Sequence, residues 1–217
     1  MSSLTRNMTI SAVLLGLFAV VGTTLLALTN EATAPRIASN QRTVVLKKLH
    51  VLIPPEQHDN DLFTDVIEVT APDYLGTAEP VAVYRARREG APVAAIIASV
   101  APDGYNGNIY LLVAVRQNGV LAGVQVARHR ETPGLGDGID ARKSDWINTF
   151  TGRSLGDPPP KDWNVKRDGG VFDQLTGATI TPRAVVKAVH KTLEYFQLHR
   201  DSLFAPLPTA KPAEDKP

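Results

Sequence analysis

The residues best suited to chemistry are Thr176, Gly177, Ala178 and Thr179, which run directly into Ile180-Thr181-Pro182. Thr181 reads as an N-cap whose hydroxyl takes an orphan N–H of the first turn. Pro182 then sits at the first helical position, where a missing N–H costs nothing. The helix continues through Val185, Val189, Leu193 and Phe196, an apolar stripe at spacings of four, four and three. Residues 176–179 therefore form a Gly-containing turn just upstream of a helix start. Free N–H groups and the helix dipole make that position suit an anion. A turn that merely caps the helix is the plainer alternative.

Two more segments have the small residues and side chains of a binding loop. Ala101-Pro102-Asp103-Gly104-Tyr105-Asn106-Gly107 lies between two strand patterns. Its small residues let the backbone approach a flat ligand, and Tyr105 can pack on a ring or simply close the loop. His129-Arg130-Glu131-Thr132-Pro133-Gly134-Leu135-Gly136-Asp137 follows a hairpin. His129 has no second histidine at ligand spacing, so zinc is not indicated. Glu131 has no nucleophile beside it, so it reads as pocket-shaping rather than as a general base. The sequence indicates no catalytic residue and no metal ligand.

These segments carry a resemblance. Asp173-x-x-Thr176-Gly177-Ala178-Thr179 resembles the Asp-x-x-(Ser/Thr)-Gly-Ala-Thr motif of domains that carry FMN covalently, the last threonine being esterified through the FMN phosphate. The Pro102-Asp103-Gly104-Tyr105-x-Gly107 and His129-x-Glu131-Thr132-Pro133-Gly134-Leu135-Gly136 segments are similar to two further signatures of that family. The resemblance implies covalent FMN on Thr179. It also implies cofactor contacts from Asp173, Thr176, Gly177, Ala178, Tyr105, Glu131, Thr132, Gly134 and Leu135. Thr132 and nearby N–H groups would meet the carbonyl and nitrogen edge of the ring. Arg183 and Lys187 either offset the phosphate charge or are solvated helix positions. Attachment implies a separate flavin transferase, because no nucleotide-activating motif is visible.

The elements that must position these residues follow from pattern. There are 217 residues with net charge +1 and no cysteine. That excludes disulfides, thiolate metal sites and Cys-bound iron–sulfur clusters, and shows no nucleic-acid footprint. No charged residue occurs from Asn7 to Asn30, and Thr9 to Thr29 is predominantly apolar. About 20 such residues span a bilayer. The stretch exceeds a usual signal-peptide core and its basic flank is thin, so it reads as an uncleaved anchor, with Ala32-Thr33-Ala34 as the site a signal peptide would use. Arg6 favours a cytoplasmic N-terminus. Thr23-Thr24 suggests a helix–helix contact in the anchor.

Residues 30–40 read as a connector, and Val45, Leu46, Leu49 and Leu52 as a helix ended by Pro54-Pro55. Asp59-Asn60-Asp61 and Asp65 lack the glycine and distal Glu of a calcium loop and read as solvated acid. Strands are expected over 81–87, 93–100, 109–115 and 120–127, with Asn118-Gly119 as a two-residue hairpin turn, giving an antiparallel meander. A short helix is expected over 140–150, with Trp146 and Phe150 in the core. A short strand is expected over 163–166.

The expected fold class is α+β: one N-terminal transmembrane helix, then an antiparallel-sheet domain with packed helices, which the resemblance makes an FMN-binding domain. The expected map is a cytoplasmic N-terminus 1–8, transmembrane helix 9–29, connector and helical segment 30–80, FMN-binding domain 81–201 and disordered tail 202–217. With its anchor and length, the chain resembles the G subunits of Rnf (Rsx) ion-translocating electron transport complexes. This implies an inner-membrane, single-pass carrier with a periplasmic C-terminal domain. Its partners would be other membrane subunits, in a complex coupling ferredoxin/NAD electron transfer to ion translocation. The C subunits of sodium-pumping NADH:quinone reductases share the motif. A non-redox anchored scaffold and a self-contained flavoenzyme are the other readings.

Overall fold

The computed structural model describes residues 3–205. Helix α1 runs Ser3–Leu52 without a break. Within it, Arg6–Glu31 has a mean hydropathy of 2.3 over its most apolar window, none of it buried, so 26 residues are long and apolar enough to cross a membrane. Thr23, Thr24 and Thr29 turn inward on their own helix. Thr24 Oγ1 donates to Val20 O at 2.7 Å and Thr29 Oγ1 to Leu25 O at 2.7 Å. Those hydroxyls need no neighbouring helix to be satisfied. Residues 30–40, expected as a connector, are helical. Apart from Pro35 they contain no breaker, and alanine, arginine and glutamate favour helix.

A compact unit begins at Leu46. Its centre is a five-stranded antiparallel meander, β1 (Val66–Val69), β2 (Val81–Arg88), β3 (Ala91–Ala101), β4 (Ile109–Arg116) and β5 (Leu121–Arg128), each paired with the next. A one-turn helix α2 (Pro72–Leu75) joins β1 to β2, and α3 (Ile180–Leu203) closes the fold. The α3 stripe Val185, Val189, Leu193 and Phe196 is buried in one core with Val83, Ile97, Val113 and Val124 of the sheet. These four strand residues stand opposite one another across β2 to β5.

The other face is buried too. Ile96, Ala114 and Gly123 are aligned there, and a Cβ on Gly123 would come within 3.1 Å of Leu52 Cδ2 at the end of α1. Burial on both faces explains why β3 reads as a continuous apolar run rather than an alternation.

Several expectations change. β1 was not legible, being a four-residue edge strand. The Asn118-Gly119 turn is a three-residue loop, 117–119: Arg116 N–H bonds Val120 O at 2.9 Å, and Gly119 takes φ +86°. Over 140–150 only Trp146–Phe150 is helical, as a 3₁₀ turn, although both rings are buried as expected. Val165 makes only an isolated bridge, to Phe172. The domain does not stop at residue 201, since Leu203 and Phe204 are buried. From Pro206 on, the expected tail lies outside the described residues.

The acid at Asp65 is not solvated. Arg85 is 2 % exposed and pairs with Asp65, whose other oxygen takes Arg87 Nε at 2.8 Å. Both guanidinium groups also reach the residues just after α3, Arg85 Nη1 to Ala205 O at 2.6 Å and Arg87 Nη2 to Phe204 O at 2.9 Å. Asp65 therefore ties β2 to the entrance of β1 and, through the two arginines, to the end of α3. Removing one partner of such a pair strands a buried charge. Asp65→Ala is expected to destabilise the chain by about 3 kcal/mol in denaturant unfolding. A change within about 0.5 kcal/mol, the scale of ordinary surface substitutions, would mean the pair is not structural.

Candidate functional site

The site begins with an aromatic platform. Trp146, Phe150, Trp163 and Phe172 pack ring to ring, with Phe150–Phe172 centroids 4.7 Å apart and Trp146–Phe150 at 5.4 Å. Trp146 Nε1 donates to Asp173 O at 2.6 Å, so the platform grips the segment entering the Thr176–Thr179 turn. The Asp173 carboxylate pairs outward with Lys166 Nζ at 2.6 Å. The turn closes through Ala178 N–H to Leu175 O at 3.0 Å, with Gly177 left-handed at φ +75°. Then α3 starts at Ile180, with Thr179 in the capping position.

Thr181 is not the cap. It is buried one residue inside the helix, and its hydroxyl donates to Glu131 Oε2. The local Thr-Pro pattern signals a cap, but a tertiary acceptor takes the hydroxyl. Glu131 is 5 % exposed, and its Oε1 accepts Asn106 N–H at 3.1 Å. One carboxylate thus joins the 101–108 loop, the 129–137 loop and the first turn of α3. Thr132 Oγ1 adds a second link, accepting from Asn106 Nδ2 at 3.1 Å.

Two glycines make room for this junction. A Cβ on Gly136 would lie 2.8 Å from both Glu131 Oε2 and Thr181 Oγ1, and one on Gly104 would lie 2.2 Å from Gly107 O. Upstream, Lys48 Nζ donates to Ala127 O at 2.6 Å and Val126 O at 3.2 Å, fixing the end of β5. Burial lowers the Lys48 pKa. At the far end of the loop, the hydrogen bond from Arg142 holds the Asp140 carboxyl at about 2.

Between the three loops lies a cavity of about 410 Å³, within the range of small-molecule sites. Tyr105, Glu131, Thr132, Leu135, Gly177, Ala178 and Thr179 line it, all of them expected from sequence. Gly136, Ile180 and Thr181 line it as well. The second glycine of Gly134-Leu135-Gly136 was the available signal for Gly136, whereas the buried role of Thr181 had none. Asp173, Thr176 and Gly134 are not in the lining. Asp173 anchors the turn, Thr176 is exposed on it, and Gly134 shapes its own loop by donating its N–H to Asp137 Oδ1 at 2.8 Å.

Arg183 and Lys187 do not line the cavity. Arg183 Nη2 meets Asp168 Oδ1 at 2.6 Å, and Lys187 Nζ meets Asp103 Oδ2 at 2.6 Å. His129 stays out of the lining also, its Nδ1 accepting the Glu131 N–H at 3.1 Å. What the cavity offers is a half-buried hydroxyl at a helix start and backbone N–H groups of Ile180 and Thr181 with no carbonyl one turn back to bond. Leu135 and Tyr105 provide apolar walls.

Geometry of this kind defines a small-molecule-binding α+β domain attached to an apolar helix. Residues 104–194 match the FMN-binding domain family, and residues 1–52 match the RnfG N-terminal region. The G subunit of an ion-translocating oxidoreductase complex from Pseudomonas aeruginosa is 50% identical over 201 residues, covering 93% of this chain and 94% of its own. The proteins of the same name from Shewanella loihica and Vibrio cholerae are 49% and 47% identical, covering 91% and 89% of this chain and 93% and 92% of theirs. The chain belongs to the family of G subunits of Rnf-type ion-translocating oxidoreductase complexes.

Gly177 offers a direct test of how tightly the turn is built. Its Cβ would lie 2.8 Å from Leu135 Cδ2, and its φ is one that valine resists. Gly177→Val is expected to lower flavin loading several-fold while α3 stays folded. Loading at the wild-type level would show that nothing approaches this turn closely.

Proposed function

We propose that this chain is the membrane-anchored flavoprotein subunit of an Rnf-type complex, with FMN joined through its phosphate to Thr179 Oγ1. The observation that carries the reading is the cavity itself. Residues separated by as many as 76 positions, from Tyr105 to Thr181, line one space beside the start of a 24-residue helix. The residues fit the group. A hydroxyl is available for the ester, and the first turn of α3 favours the charge that remains on a phosphodiester. Gly177, Ala178 and Gly136 let backbone come close to a flat ring, with Leu135 and Tyr105 beside it.

When bound, FMN supplies reversible one- and two-electron chemistry. The protein supplies placement. Thr179 holds the phosphate end, so the carrier does not diffuse away. Thr132 and the neighbouring N–H groups would be the ones to hold the polar edge of the ring. Leu135 would give the ring an apolar wall, while Tyr105, 65% exposed, stands at the mouth. No residue here is assigned a catalytic proton transfer. The chain would act as one station in a route between ferredoxin and NAD that drives ion movement. It would sit in the inner membrane with the domain from Leu46 onward on the periplasmic side, Arg6 staying in the cytoplasm. Other membrane subunits are its partners, and a flavin transferase matures it. The names of its relatives favour this reading over the C subunit of a sodium-pumping quinone reductase.

The test is Thr179→Ala in the full chain, co-expressed with a flavin transferase. The wild-type band is expected to keep flavin fluorescence after denaturing electrophoresis. The variant is expected to lose it while melting at the wild-type temperature. Persistent fluorescence in the denatured variant would place the acceptor elsewhere. A colourless wild type, beside a control substrate that the transferase does modify, would favour the anchored scaffold.

A further inference from the structure

The geometry points to Glu131 as the residue that lowers the reduction potential of the bound flavin, by placing a negative charge without an ion-pair partner in the cavity wall. The inference rests on the flavin reading above. Both carboxylate oxygens of Glu131 accept, Oε1 from Asn106 N–H at 3.1 Å and Oε2 from the Thr181 hydroxyl. The Asn106 N–H can only donate, and with the Thr181 hydroxyl donating as well both oxygens accept, as an ionised carboxylate does. Among the described residues no lysine, arginine or histidine forms an ion pair with it. The two cations in the first turns of α3, Arg183 and Lys187, are held by Asp168 and Asp103 instead.

A side chain 5 % exposed is weakly screened, so its charge reaches further than a surface charge would. The relevant step adds one electron, delivered by a one-electron carrier of the complex, and with it one negative charge to the cavity. Glu131 exchanges neither proton nor electron in that step. It raises the free energy of the more negative state, which makes the flavin a stronger reductant. Burying a carboxylate with no cation beside it is unfavourable, and a purely structural junction of these three loops would be served as well by an amide.

That last point supplies the experiment. Glu131→Gln keeps the shape: its amide oxygen can accept from Asn106 N–H, and its NH₂ can donate to the Thr181 oxygen, since a hydroxyl both donates and accepts. Only the charge is lost. Thr181→Val does the reverse, keeping the carboxylate while removing a donor that spreads its charge. Each full-length variant is co-expressed with a flavin transferase. Loading is read by intact mass after denaturation, and the potential by spectroelectrochemical titration in detergent at pH 8.

Glu131→Gln protein that carries flavin is expected to show a more positive potential. Thr181→Val is expected to shift to a more negative one, and Asp201→Asn, at the opposite end of α3 and 97% exposed, not to shift. Opposite shifts from two changes at one junction are not what a loosened pocket produces. A loaded Glu131→Gln protein with the wild-type potential would overturn the inference and leave the flavin reading standing. Should Glu131→Gln fail to load, Thr181→Val decides alone, and an unchanged or more positive potential there overturns it. Absence of flavin from wild type, with transferase active on a control substrate, would bring down the flavin reading and this inference with it.

Discussion

The Glu131 carboxylate has almost no water around it, and three loops depend on how it is satisfied. A buried carboxylate is tolerated only where donors replace the lost hydration. Here the donors come from Asn106 in one loop and Thr181 in the first turn of α3. The loops must therefore close on one another before the charge is accommodated. That closure sets where Thr179 stands, because Thr179 is two residues from Thr181 at the start of the same helix. It also explains Gly136, where any side chain would strike both partners of the Glu131–Thr181 bond. The cavity is in this sense a consequence of one hydrogen-bonded junction.

Support for the junction comes from below and from the side. The stripe on α3 packs on the meander, so the helix start is held by its own buried length. The aromatic platform holds the segment before the turn through Trp146 and the Asp173 carbonyl. Lys48 fixes the last carbonyls of β5 immediately before the 129–137 loop. None of these contacts touches the cavity, yet each removes freedom from a residue that lines it. A site that positions a flat redox cofactor needs such rigidity more than it needs reactive groups, because the electron chemistry belongs to the cofactor.

What was legible in the sequence was whatever depended on local pattern. Four of the five strands, the α3 stripe, the Gly177 turn and the core placement of Trp146 and Phe150 all follow from spacing and turn chemistry. What was not legible depended on partners far along the chain. The Thr181 hydroxyl looked like a cap until an acceptor 50 residues away claimed it. Arg183 and Lys187 looked available to a phosphate, but Asp168 and Asp103 take them. Asp65 looked solvated because Arg85 and Arg87 lie on a different strand. β1 was missed since a short edge strand has too few residues to show a period, and residues 30–40 were read as a connector although only Pro35 argues against helix. Seven of the residues expected to bind a cofactor do share one cavity, while Asp173, Thr176 and Gly134 act on the turns that frame it.

The most direct test of the account is the intact mass of the full chain, co-expressed with a flavin transferase and separated under denaturing conditions, followed by peptide fragmentation. The account predicts a gain of one FMN less one water, carried entirely by the peptide that contains Thr179. An unmodified mass, with the transferase active on a control substrate, or the same gain on a peptide that lacks Thr179, would contradict it.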